Sequence, residues 1–343
     1  MKRFAFVLAL LLALFPWAGA PAEQGMPAPA APEPMPAIQY VGIAQDNVTL
    51  RADMSRDAAS LGYYRKGDRV QIIGCELQWL KVVKGDESGF VTGYVLRHMV
   101  GEVVTRNADL PYGATPSAYS AVLSRDTLLH TEPDGKSDVF LTMTKGTKVA
   151  ILEINNGWAK VIHWRSYGYF YLDSIEQLTP VYDAESAASG DTLAAFISFY
   201  DLSEVGLNPN RIVNILKACE YISVSVAPGE KFSFNRVAGP YQYKRGYLDG
   251  MSFFEGRAVP SVGGGVCQVS STMYNALIAL PRGIKVTAWR THGPSGATYL
   301  PHGVDAAVGS ETLDLSFVNL LDFPVRIEAS AQDGVLYIAL IKA

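Results

Sequence analysis

Ser261-Val262-Gly263-Gly264-Gly265-Val266-Cys267-Gln268-Val269-Ser270-Ser271-Thr272-Met273-Tyr274-Asn275-Ala276-Leu277 is the stretch on which the reading of this chain turns. Three consecutive glycines give a backbone that can turn sharply or let another group come close. Directly after them Val266, Val269, Met273, Leu277 and Leu280 recur at three- and four-residue steps, the period of one helical face. A helix therefore begins at or beside Cys267. Unpaired amides and the positive end of the helix dipole favour a thiolate over a thiol at such a position. His292, His302 and Asp305 follow downstream. Cys, His, Asp is the chain order of papain-like thiol enzymes, in which a histidine takes the thiol proton and a third polar group orients the imidazole. The same residues also fit a tightly packed strand-to-helix corner with a buried thiol, and the sequence leaves both readings open.

Working outward, Asn208-Pro209 supplies a cap and a first-turn proline ahead of Ile212, Ile215, Leu216, Cys219 and Ile222, an apolar stripe at helical spacing with Cys219 on its buried side. Downstream, Leu313, Leu315 and Phe317, then Val325, Ile327 and Ala329, alternate with polar residues, and Asp333-Gly334 precedes an apolar run from Val335 to Ile341. These are strands of a mostly antiparallel sheet with a tight turn. Residues 191–343 are expected to form one α+β domain.

Ahead of it the chain repeats itself. At an offset of 79 residues, Leu50 matches Leu129, Lys66-Gly67 matches Lys145-Gly146, Trp79 matches Trp158, Lys81-Val82 matches Lys160-Val161 and Gly89 matches Gly168. Each copy carries short alternating apolar runs punctuated by glycine, the pattern of a small antiparallel barrel. The copies are placed at 39–100 and 119–180, with a linker over 101–118 rich in Pro, Gly, Ala and Ser. Trp79 and Trp158 suit core packing. Tyr63 and Tyr64 in the first copy, and the alternating Tyr167, Tyr169 and Tyr171 in the second, offer amphipathic faces suited to sugar or peptide.

Composition sets the outer limits. The chain has 343 residues, 49% hydrophobic and 18% charged, with 29 Lys+Arg against 33 Asp+Glu; that is too apolar for a disordered protein and lacks the basic surplus of a nucleic-acid binder. Cys75, Cys219 and Cys267 are too few for a disulfide framework, no cluster has metal-ligand spacing, and Gly263-Gly264-Gly265 lacks both nucleotide-binding glycine signatures. No metal and no cofactor are expected. At the N-terminus Lys2-Arg3, an apolar run from Phe4 to Leu14 and the small residues up to Ala22 read as a secretory signal peptide over 1–22. A proline- and alanine-rich linker follows over 23–38. Contact with a membrane is expected only through an uncleaved signal segment.

Several motifs carry a family resemblance. Pro228-Gly229-Glu230-Lys231-Phe232-Ser233-Phe234-Asn235, Arg245-Gly246-Tyr247, the stretch from Gly263 to Thr272 with Tyr274-Asn275, and Asp305-Ala306 resemble the VanW family, named for an accessory protein of vancomycin-resistance clusters. The resemblance covers roughly residues 195–330. Where the family has a paired-histidine stretch this chain reads Trp289-Arg290-Thr291-His292-Gly293, and where it has Pro-Pro-Gly-Arg-Asp this chain reads Pro301-His302-Gly303-Val304-Asp305. The two repeats resemble bacterial SH3 domains, which in exported proteins commonly tether to cell-wall peptides. The expected fold is thus multidomain: two small all-β SH3-like barrels followed by an α+β VanW-like domain. The resemblance implies an exported envelope protein that docks to peptidoglycan or another wall peptide or glycan and has an accessory or binding role, with Tyr63, Tyr64, Tyr167, Tyr169, Tyr171 and Gln268 as ligand contacts. The alternative is a cysteine-dependent peptidase or acyl transferase acting on wall peptides through Cys267, with His292 as base and Asp305 as its orienter. Geometry separates the two, because a nucleophile needs a base within hydrogen-bond reach.

Overall fold

A computed structural model describes residues 34–343, apart from 87–88, 255–256 and 294–295. The expected signal peptide and residues 23–33 of the expected linker lie outside the described residues. The architecture is mostly β, in several sheets, with few helices.

The first repeat folds as β1 (Tyr40–Ala44), β2 (Val48–Arg51), β3 (Ser60–Tyr64), β4 (Arg69–Glu76), β5 (Trp79–Asp86), β6 (Gly89–Leu96), a short 3₁₀ turn (Arg97–Met99) and β7 (Val100–Thr105). The second follows the same plan: β8 (Tyr119–Leu123), β9 (Thr127–His130), β10 (Val139–Met143), β11 (Lys148–Ile151), β12 (Glu153–Asn155), β13 (Trp158–His163), β14 (Ser166–Tyr171), a 3₁₀ turn (Leu172–Ser174) and β15 (Ile175–Pro180). The first sheet runs β3-β2-β6-β5-β4-β1-β7, and its counterpart runs β10-β9-β14-β13-β12 with β11-β8-β15. Both are antiparallel throughout. The long strand β4 is bulged between Ile72 and Gly74, and at the matching place its counterpart is broken into β11 and β12.

The match of Gly89 with Gly168 does not survive in space. Val82 pairs with Gly93, whereas Val161 pairs with Gly168. The first hairpin closes at Asp86 and Gly89 and the second at His163 and Ser166, so the first is longer by two residues on each arm and the offset changes from 79 to 75 across the turn. The physical reason is steric. A side chain at Gly93 would stand 2.8 Å from Leu50, and one at Gly168 would stand 2.9 Å from the matching Leu129. Each glycine lets a buried leucine cross the sheet.

The C-terminal part is built on β16 (Thr192–Phe199), α1 (Asn208–Ile222), β17 (Ser225–Val226), β18 (Lys231–Ser233), α2 (Phe234–Ala238), β19 (Asp249–Phe254), β20 (Arg257–Val262), α3 (Val266–Ile278), β21 (Ile284–Ala288), β22 (Ser316–Asn319), β23 (Val325–Gln332) and β24 (Val335–Lys342). Its main sheet has the order β16-β24-β23-β17, with a two-residue turn at Asp333-Gly334. Asn208 lies inside α1 rather than capping it, and its amide instead donates to the Asp201 and Ser203 carbonyls at 2.9 and 2.8 Å.

Alternation along β24 divides two cores. Leu336, Ile338 and Leu340 join Phe196 under α1 and α3, with Ile215, Met273 and Leu277. Val335, Tyr337 and Ala339 join Ala195, Ile197 and Phe199 on the opposite face, against Leu123, Leu129, Val161 and Phe170 of the second repeat. The second repeat therefore closes its core on the outer face of this sheet, and Tyr337 Oη meets Ser120 Oγ at 2.7 Å across the junction. Every residue of β16 is buried, which explains its apolar run from Leu193 to Ile197: a strand covered on both faces has no polar alternation to read.

The glycine run forms the corner between β20 and α3. Gly264 passes so close to β19 that a side chain there would stand 2.6 Å from the Gly250 carbonyl oxygen. Gly265 caps the helix with φ of 110°, a left-handed conformation that favours glycine. Asn214 of α1 rivets the corner, its amide donating to the Leu248 and Gly264 carbonyls at 2.9 Å each and its Oδ1 accepting from the Leu248 N–H at 2.8 Å.

Because the sheet is shared, Ile197→Ala is expected to cost about 2–5 kcal/mol and to loosen the second repeat together with β24. Hydrogen exchange read by mass spectrometry checks this: faster exchange in β16 and β24 with β13 unaffected would refute it.

Candidate active site

Helix α3 is laced to the segment 304–308 along one face. Cys267 Sγ lies 3.4 Å from the Val308 carbonyl and 3.5 Å from its N–H, two weak sulfur contacts. One turn on, Ser270 Oγ donates to the Ala306 carbonyl at 2.6 Å, and the Ala306 N–H donates to Ser271 Oγ at 2.8 Å. A further turn on, Asn275 Nδ2 donates to the Val304 carbonyl at 2.8 Å. The spacing has a simple cause: four residues of α-helix rise about 6 Å, and two residues of extended chain rise about 6.6 Å, so helix positions one turn apart meet alternate residues of the segment running the other way.

The intervening residues face the other side. There the Ala307 N–H donates to the Arg290 carbonyl and Trp289 Nε1 donates to the Asp305 carbonyl, both at 2.8 Å. Trp289 is stacked in turn on Tyr274 of α3, with centroids 4.5 Å apart. Asp305, buried at 0% exposure, accepts from the His292 backbone N–H at 2.7 Å and meets His292 Nδ1 at 2.6 Å, both through Oδ2. The imidazole also lies near enough to Cys267 for the two to interact. Since Nδ1 is committed to Asp305, Nε2 is the ring nitrogen left for the sulfur. Cys267, His292 and Asp305 thus come together in the order of a thiol–imidazole–carboxylate relay.

Electrostatics follow from that arrangement. Burial works against a charged imidazole, yet the hydrogen bond to Asp305 and the interaction with Cys267 prevail and lift it to about 10. Burial would likewise raise the Asp305 carboxyl, and the two His292 bonds hold it below the usual range. Sulfur sits at the second position of α3. The Val266 N–H is bonded to the Gly263 carbonyl and the Gln268 N–H to the Gly265 carbonyl, which leaves the Cys267 N–H with no acceptor among the described residues. It is a donor available to a developing oxyanion.

His302 sits apart from this group in the contacts it shows. Its ring packs edge-on against His98 of the first repeat at 6.2 Å. Gln268, expected as a ligand contact, is 1% exposed, with its amide nitrogen spent on Ser198 Oγ and the Phe199 carbonyl and its oxygen on Arg211; it is a structural residue. Tyr64 is likewise withdrawn, because neighbours on a strand point to opposite faces: Tyr63 is exposed and Tyr64 lies in the core of the first repeat. Tyr167, Tyr169 and Tyr171 share the face opposite buried Phe170. Tyr167 donates to Glu76 of the first repeat at 2.7 Å, while Tyr171 is exposed and lies against half-buried Trp158 at 3.9 Å. Among the described residues no cluster of His, Cys, Asp or Glu could hold a metal ion, and no helix is long and apolar enough to cross a membrane. Sequence reasoning missed Arg211, Trp289 and the lacing role of Asn275; the spacing of 267, 271 and 275 along one helical face was the available signal for the last.

The family model described as VanW like protein matches residues 210–341. The uncharacterized protein YoaR of Bacillus subtilis is 32% identical over 184 residues, 51% of this chain and 58% of that one. The vancomycin B-type resistance protein VanW of Enterococcus faecalis is 26% identical over 127 residues, 36% of this chain and 46% of its own. The chain spans about half the length of the curated relatives it matches. Among solved structures, an NlpC/P60 family protein from Bacillus cereus aligns over 87% of this chain and 93% of its own at 10% identity, with a TM-score of 0.18 that carries no argument about fold or function. Residues 210–341, which hold Cys267, His292 and Asp305, match the VanW family and are a VanW-like domain.

Proposed function

We propose that this protein is an exported cell-envelope enzyme that forms a thioester between Cys267 and an acyl group of a wall peptide. The observation that carries the reading is the imidazole of His292, held by buried Asp305 at 2.6 Å and near enough to Cys267 to interact with it. In the first half-reaction Cys267 sulfur, its proton passed to His292 Nε2, attacks the amide carbonyl carbon. The Cys267 N–H and the positive end of α3 stabilise the oxyanion. As the C–N bond breaks, His292 returns the proton to the leaving amine. In the second, water or an acceptor amine gives its proton to His292 and attacks the thioester, completing hydrolysis or transfer and freeing the thiol. Asp305 holds the imidazole in one orientation and supports its charge throughout.

The two repeats are, in this proposal, SH3-like barrels that dock the protein to peptidoglycan. Support comes from their shared strand order and from the exposed Tyr63 and the Trp158–Tyr171 pair. A relative named for vancomycin resistance accords with an envelope setting, as do the Lys2-Arg3 charge and the apolar run behind it.

Turnover of purified muropeptides, followed by chromatography, tests the enzymatic reading. Cys267→Ala is expected to abolish product, and His292→Ala to slow its formation about 10²- to 10⁴-fold. Undiminished product from Cys267→Ala would remove the proposal. For docking, Tyr171→Ala is expected to weaken cosedimentation with peptidoglycan sacculi, and equal pelleting of variant and wild type would count against that face.

Stability should report the His292–Asp305 pair. A histidine raised from 6.5 to about 10 on folding contributes stability that is full below about pH 6.5 and lost as pH rises through about 10. A lowered aspartate contributes above its unfolded value near 3.8 and loses that contribution as pH falls. Asp305→Asn is therefore expected to depress Tm most between about pH 4 and 6.5, with the gap to wild type closing towards pH 10. A gap that widens with pH would contradict the pairing.

A further inference from the structure

Arg211 stands one helical turn before the Asn214 rivet, and its place is fixed by the same corner. Its stem lies across Gly265: a side chain at that glycine would come within 2.7 Å of Arg211 Cγ and 3.1 Å of its carbonyl oxygen. The glycine that caps α3 thus also makes room for the arginine to pass over the helix start. Beyond it the guanidinium donates to Gln268 Oε1. Gln268 cannot turn away, because its amide nitrogen is held by Ser198 and Phe199 at 3.0 and 2.9 Å. The cation is therefore pinned beside the residue that follows the nucleophile, and it interacts electrostatically with Cys267 and Tyr299.

That is a costly place for an unpaired charge. Arg211 is half-buried, and burial opposes its charged form. No carboxylate lies within salt-bridge distance of it among the described residues. Asp201 is near enough to be felt, but it is exposed and its carboxylate is bonded to the Ser203 N–H and hydroxyl at 2.9 and 2.5 Å. Of the five N–H groups of a guanidinium, one is taken by Gln268. The others form a planar fork, the geometry that grips a carboxylate with two parallel hydrogen bonds.

We propose that Arg211 binds a carboxylate of the substrate beside Cys267, so that the peptide accepted is one with a free C-terminal carboxylate close to the scissile amide. This rests on Cys267 as the nucleophile, and it narrows the substrate class from wall peptides in general to those with an open C-terminal end. Arg211 is here a specificity residue, since it grips a group that does not change in the reaction.

The test separates this assignment from the enzymatic reading by measuring binding and turnover apart. The probes are a synthetic stem pentapeptide and its C-terminal carboxamide, identical otherwise. In Cys267→Ala, calorimetry is expected to show the free acid binding about ten- to a hundredfold tighter than the amide, the worth of a charge-assisted hydrogen-bond pair. Adding Arg211→Gln should bring that ratio to about one, and Arg211→Lys should keep part of it, with thermal melting of each variant confirming a folded protein. Equal binding of acid and amide, a preference that survives Arg211→Gln, or no binding of either peptide overturns the assignment. If the preference holds but wild type turns over neither peptide, the carboxylate site stands and the enzymatic reading falls. Cys267-dependent turnover without any preference gives the reverse.

Discussion

The lacing of α3 to the segment 304–308 is the constraint on which the site depends. Each helical turn advances by nearly the same length as two residues of extended chain, so Cys267, Ser270 with Ser271, and Asn275 meet Val308, Ala306 and Val304 in step. The residues between them are forced to the far side. Asp305 is one of these, and it is thereby delivered to His292, whose own backbone N–H it accepts. The serines and the asparagine of the motif are thus the frame of the relay. A register slip of one residue would turn Asp305 towards the helix and end its contact with the imidazole.

A second constraint holds the frame in place from behind. Strands β16 and β24 of the main sheet are buried on both faces, one against α1 and α3 and the other against the second repeat. Thr272 Oγ1 of α3 meets Ser198 Oγ of β16 at 2.7 Å, and Gln268 bonds the end of the same strand. Cys267 is therefore carried on a helix whose buried side is bonded to a strand that cannot move without opening two cores. That is the rigidity a relay of three side chains requires.

The repeats also touch the loop that leads into the laced segment. Arg165, in the turn between β13 and β14, donates to the Leu300 and Ala297 carbonyls at 3.3 and 3.0 Å. Gly113, after the first repeat, lies between the guanidinium of buried Arg97 and Val304, with no room for a side chain. Both repeats thus contribute to the placement of residues 297–304, directly ahead of Asp305. Their packing makes them part of the structure around the site as well as candidates for wall contact.

The sequence by itself determined everything that depends on local periodicity and backbone freedom. The helical stripe after Gly265 placed Cys267 at a helix start, Asp333-Gly334 marked the tight turn, and self-comparison at an offset of 79 showed two copies of one β unit, because spacing of apolar residues and turn glycines is written in consecutive positions. Self-comparison failed at Gly89, since a hairpin can lengthen both arms without changing the pairing inside it, and only the crossing of Leu50 over Gly93 identifies the true partner. Chain order suggested Cys267, His292 and Asp305, and the family's histidine stretch favoured His292 over His302, but neither could tell that Gln268 is enclosed or that Arg211 lies over Gly265. Those facts belong to the tertiary structure, because burial and charge pairing depend on groups dozens of residues apart that meet only when the sheet closes on both of its faces.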